Sequence, residues 1–109
     1  SHVYSEGSDV KFLLESVIPK LNKGVLVHIH DYFYPDDYPA EWKNFPHMRV
    51  WNEQWYAKDL EEIHEVLVVN NTVSKNHNEK LKSIYDFVPE NITRNFGAVK
   101  GTSLWIKIT

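Results

Sequence analysis

The chain has 109 residues, 42% of them hydrophobic and 25% charged, with a formal net charge of −3; this suits a folded domain with one modest core and not a disordered tail. The slightly acidic balance argues against a general nucleic-acid binder, which needs a clustered basic surface to neutralise phosphates. No apolar run approaches the roughly 20 residues of a membrane span, no basic-then-apolar leader opens the chain, and cysteine is absent, which excludes disulfides and thiolate metal sites, so a cytoplasmic protein is expected.

Residues 1–7 form a polar lead-in, and Ser8 is placed to cap a helix through its hydroxyl. Val10, Leu13, Leu14, Val17 and Leu21 recur at helical spacing, which predicts a helix over 8–20 that weakens at Pro19 and stops before Gly24. Residues 24–31, Gly-Val-Leu-Val-His-Ile-His-Asp, read as a strand buried on both faces, as in a parallel sheet. It ends in His30 and Asp31, and carboxyl ends of strands are where open α/β sheets bind ligands.

Residues 32–50 are a long connection rich in proline and aromatics, too apolar for a solvated linker. Connections of this length usually serve a function, so a lid or substrate-facing loop is expected, with one helical turn near 40–43. Asn52 is placed to cap a second helix over 53–63, packed through Trp55, Leu60 and Ile63. A short buried strand follows at 66–69 and ends at a turn-like Asn70-Asn71 pair. A helix over 78–87, an irregular stretch to Lys100 and a strand at 103–108 complete the order. The last strand alternates, with Leu104, Ile106 and Ile108 on one face. Helices alternating with short strands indicate an α/β sheet with flanking helices. Three strands with an apolar edge look like part of a wider sheet, and such an edge invites pairing with a second copy as a homodimer.

An ordered set of motifs carries a more specific signal. It comprises Ser1-His2-Val3-Tyr4, Gly7-Ser8-Asp9-Val10, Ile18-Pro19-Lys20-Leu21 and the run from Gly24 to Asp31. Tyr34-Pro35, Asp37-Tyr38-Pro39, Trp42, Trp51-Asn52-Glu53-Gln54-Trp55 and the closing Gly101-Thr102-Ser103-Leu104-Trp105-Ile106 continue it. In this order they resemble a class I S-adenosylmethionine (SAM)-dependent methyltransferase family of the type met in bacterial sugar and polysaccharide gene clusters.

The resemblance implies that residues 1–109 are a single partial domain, the C-terminal half of a Rossmann-like methyltransferase fold. Its strands would be the fifth, sixth and seventh, the last antiparallel and inserted between the other two. The Gly-rich loop and the acidic residue that hold SAM in such a domain would precede Ser1. The implied activity is methyl transfer from SAM to a hydroxyl, on a sugar or another small acceptor, with the isolated chain inactive. His2 then matches a general base, Asp31 a residue of the catalytic cleft, and His30 with Asp31 the pair that helps hold a divalent metal. Because His30 stands where a carboxylate is usual, magnesium is in doubt, and imidazole suits zinc, manganese or iron better. Tyr32, Trp51, Asn52 and Glu53 would face the substrate.

Each residue also has an ordinary structural reading. Terminal histidines fray, an aspartate after a strand caps a turn, and His28 inside an apolar strand reads as a satisfied core residue. Asn52 and Glu53 read equally as a helix cap and a first-turn carboxylate. Two other functions remain open. One is a metal-dependent hydrolase built on His28, His30 and Asp31; the other is a non-enzymatic interaction module.

Overall fold

Ser8 opens the first helix: its hydroxyl accepts from the Lys11 amide at 3.1 Å, satisfying one of the four amides a helix start leaves free. The computed structural model describes residues 1–85 and 102–109. Helix α1 covers Asp9–Phe12 and continues into a π-helical stretch at Leu13–Val17 and a 3-10 turn at Ile18–Lys20. A single α-helix was expected over this span. Pro19 explains the change of register, because it has no amide to donate and its ring crowds the carbonyl four residues earlier. Val10 and Ile18 are buried along this segment. Gly24, at φ 88°, then turns the chain into the sheet in a left-handed conformation that glycine adopts readily.

Strands β1 (Leu26–His30), β2 (Glu65–Val69) and β3 (Ser103–Lys107) form one sheet in the order β1-β3-β2. The last strand lies between the first two, as the family resemblance implied; β3 is antiparallel to both neighbours, so β1 does not pair as in the parallel sheet its apolar run suggested. The register pairs Val27 with Ile106 and Ile29 with Leu104, which gathers the alternate apolar residues onto one face. Leu104 and Ile106 have no exposed surface there, and burying each contributes roughly 1.5–3 kcal/mol. Ile18, Ile29, Tyr32, Ala57, Leu60 and Ile108 complete this core.

The opposite face corrects the expectation of strands buried on both sides. Leu26 is 55% exposed, and His28, His30 and Trp105 also meet solvent. They alternate with Val27 and Ile29 along the pleat, so a one-sided core leaves them outside. β2 is likewise more open than expected, and a bulge between Val66 and Val68 leaves Leu67 exposed.

The helix expected over 53–63 forms as two pieces, α2 (Glu53–Ala57) and α3 (Leu60–Ile63). Gln54, Ala57 and Leu60 point inward, while Trp55 and Ile63, expected in the core, are exposed. Where a turn was expected at Asn70-Asn71, helix α4 (Asn70–Asn76) begins directly after β2. The buried Asn71 side chain donates to the Phe33 carbonyl at 2.6 Å and to Asp36 Oδ2 at 3.0 Å, so tertiary bonds override its turn preference. Helix α5 (Asn78–Tyr85) matches the start of the helix expected at 78–87. The irregular stretch expected at 89–100 lies outside the described residues.

The long connection after β1 holds a 3-10 turn at Ala40–Asn44, near the turn expected there. Its aromatics pack inward: Tyr32, Phe33 and Tyr38 are buried, and Phe33 meets Trp42 edge-on. Among the described residues, no helix is long and apolar enough to cross a membrane.

Candidate active site

Helix α2 starts without a capping side chain. The cap expected of Asn52 is supplied instead by the backbone of His2, whose carbonyl accepts from the Asn52 amide at 3.0 Å and the Glu53 amide at 3.1 Å. A distant carbonyl thus satisfies amides that the helix cannot pair internally. The Asn52 side chain is free to bracket Tyr4: Oδ1 accepts from its amide at 2.6 Å, and Nδ2 donates to its carbonyl at 3.1 Å. Tyr4 also stacks on Tyr56 with ring centroids 3.8 Å apart. Residues 2–4 are therefore held against α2.

Asp31 enters from the other side, directly after β1, at φ 54°. This left-handed conformation suits aspartate better than most residues. The chain then turns inward as the Tyr32 amide donates to the Thr102 carbonyl at 2.9 Å.

Between these two supports lies His2. Its Nδ1 is 2.7 Å from Glu53 Oε2 in hydrogen-bond geometry, and its Nε2 is 3.2 Å from Asp31 Oδ2. His30 Nε2 lies 3.3 Å from the other Asp31 oxygen. Trp51 covers the His2 ring with centroids 4.2 Å apart, and itself meets Trp42 and Tyr38 edge-on. His2, Asp31 and Glu53 keep 21%, 16% and 15% of their side-chain surface, so the cluster is shielded yet still reachable. Five of the expected site residues, His2, His30, Asp31, Trp51 and Glu53, thus converge from three separate segments, while the Asn52 side chain is held by the Tyr4 backbone. Tyr32 does not join them. It is fully buried in the core, its hydroxyl hydrogen-bonds Glu61, and no surface is left for a substrate.

Burial pushes the Glu53 carboxyl above the ordinary carboxylate range, and the hydrogen bond with His2 pulls part of the way back. Tyr38 sits behind the cluster, and its phenol is pushed up to about 12, chiefly by burial, with Glu53 and Asp31 adding repulsion. A neutral imidazole carries one N–H. The shorter, better-directed contact at Nδ1 suits that hydrogen on the Glu53 side and the lone pair on Nε2, with Asp31 Oδ2 3.2 Å away. This is the orienting-carboxylate logic of histidine-based sites.

His30 and Asp31, the pair expected to hold a metal, lie side by side and offer two donor residues, fewer than the three protein ligands of a catalytic zinc site. Among the described residues, no group of three His, Asp or Glu side chains is disposed to hold an ion. No step is derived through one.

Two supporting residues stand in the quoted motifs but are assigned no role of their own there. Gln54 is 1% exposed; its Oε1 accepts from the Phe33 amide at 2.8 Å and its Nε2 donates to the Asp36 carbonyl at 2.9 Å. Tyr38 accepts from the Gln54 amide at 3.1 Å. A signal for Gln54 was present: it lies three and six residues before Ala57 and Leu60, on the buried stripe. Comparison with protein-family models, curated proteins and solved structures gave no match to this chain.

Proposed function

We propose that this chain forms the acid–base part of a SAM-dependent methyltransferase acting on a hydroxyl of a sugar or similar small acceptor. The observation that carries the proposal is His2 held by Glu53 at Nδ1, with its Nε2 beside Asp31. The ordered motif resemblance supplies the reaction class.

The acceptor hydroxyl donates to His2 Nε2. SAM, if bound by the protein that carries this chain, would supply an electrophilic methyl group to that oxygen. The hydroxyl proton ends on Nε2, and the resulting imidazolium lies between the Glu53 and Asp31 carboxylates. Positioned bases of this kind contribute roughly 10²–10⁴-fold to rate. Trp51 and Trp42 form an apolar wall on one side of the base and reduce the access of water to it.

The test is transfer of labelled methyl from SAM to a panel of monosaccharides by the protein that carries this chain. A base-stable methyl ether should form, and His2→Asn should lower kcat by roughly 10²-fold or more with little change in KM. Absence of transfer together with absence of S-adenosylhomocysteine binding would overturn the proposal.

A further inference from the structure

The open face of the sheet carries a second histidine arrangement that the acid–base cluster does not use. His28 and His30 alternate on β1, so both project from the solvent side, with ring centroids 6.1 Å apart. Two imidazoles bound to one ion at metal–nitrogen distances of about 2.0–2.1 Å have centroids about 4.5–6.5 Å apart, so the observed spacing needs little rearrangement. We propose that His28 and His30 chelate a divalent transition-metal ion of the nickel, copper and zinc group. Neutral imidazole is the protein donor these ions favour, and the pair offers nothing to hard ions such as magnesium.

Three further observations support the pair. His28 lies flat against Trp105, its partner across the strand register, with centroids 4.4 Å apart and planes 18° apart. The stack fixes one ligand on a rigid strand and leaves its ring edge open. Among the described residues, no side-chain hydrogen bond or ion pair occupies the His28 nitrogens. His30 has a carboxylate beside one nitrogen only, Asp31 Oδ1 at 3.3 Å from Nε2. A carboxylate next to the non-ligating nitrogen is the usual outer partner of a metal-bound histidine: it holds the N–H there and leaves Nδ1 for the ion. Asp31 is thus an orienting neighbour here, not the co-ligand the sequence suggested. The inference does not rest on the methyltransferase reading.

Trp105 supplies a readout, because a paramagnetic ion held by the ring stacked on it quenches its emission. The protein is titrated with Ni²⁺, following tryptophan fluorescence and, separately, calorimetry. A saturable 1:1 quench is expected. His28→Gln or His30→Gln should each weaken binding on the order of 10²-fold, since the second ligand acts at a high effective concentration. Trp105→Phe should remove most of the quench, Trp51 near His30 supplying the remainder, and leave the calorimetric affinity within about threefold. His47→Gln, at an exposed histidine elsewhere, should change nothing. Both ligand histidines are exposed, so these variants are expected to fold, which circular dichroism verifies. Unchanged affinity in either ligand variant, or a quench undiminished in Trp105→Phe, would overturn the assignment.

Discussion

Glu53 Oε2 lies 2.7 Å from His2 Nδ1, across 51 residues of sequence, and this contact closes the N-terminal segment onto α2. It also makes stability depend on pH in a defined direction. The folded Glu53 carboxyl has a raised pKa, mainly through burial, so the folded state binds its proton more tightly than the unfolded chain. That contribution is complete below the ordinary carboxylate range and is lost as pH rises through the folded value. Glu53→Gln should abolish this loss. The measurement is the difference in urea midpoint between variant and parent from about pH 4 to pH 7. The difference cancels groups common to both proteins, such as Asp9, which the terminal amine holds down to about 2 and which acts in the opposite sense.

Gln54→Ala, in α2, should be among the costliest single changes for the packing of the connection after β1. It strands the buried Phe33 amide and leaves the Asp36 carbonyl, on an exposed residue, to water; a buried unsatisfied group costs about 1–3 kcal/mol, and a loss of that order is expected by urea unfolding. Gln54→Met, which restores the volume without the bonds, should recover little of it.

Asp31 tests backbone and charge separately. Its left-handed φ of 54° should make Asp31→Ala less stable than Asp31→Gly by about 1 kcal/mol, read from unfolding midpoints. Asp31→Asn tolerates the conformation and removes only the charge. It should keep the fold while lowering the rate of any reaction that forms imidazolium at His2.

Tyr38 should titrate late. Its phenol is pushed up to about 12 by burial, so absorbance near 295 nm should show a late step in that range that Tyr38→Phe removes, while Tyr32, raised further by its own burial, ionises later still. The raised value means that Tyr38 stabilises the fold fully below its ordinary pKa near 10, and that this is lost as pH rises toward about 12.

Much of the frame was legible because it rests on local chemistry. Ser8 capped its helix, and the alternation of Leu104, Ile106 and Ile108 named the buried face of the last strand. What escaped was decided by distant partners. Asn52 carries a sound capping signal, yet the His2 carbonyl takes that role and Asn52 holds Tyr4 instead. Asn70 and Asn71 resemble a turn, but Asn71 is tied to Phe33 and Asp36 across the loop. His28 lies in an apolar run that suggests burial; a core on one face only leaves it outside, stacked on Trp105. For the site, residue types at strand and helix ends were informative. Tyr32 was not, because its direction depends on the turn at Asp31, which the sequence does not display.

The most direct test of the acid–base reading is the tautomer of His2, read from long-range ¹H–¹⁵N correlations of its ring in the neutral state. The geometry at Glu53 requires the hydrogen on Nδ1 and the lone pair on Nε2, with a switch toward the ordinary Nε2–H form in Glu53→Ala. A parent protein already in the Nε2–H form, or a ring unaffected by Glu53→Ala, would contradict it and leave His2 without the orientation a general base needs.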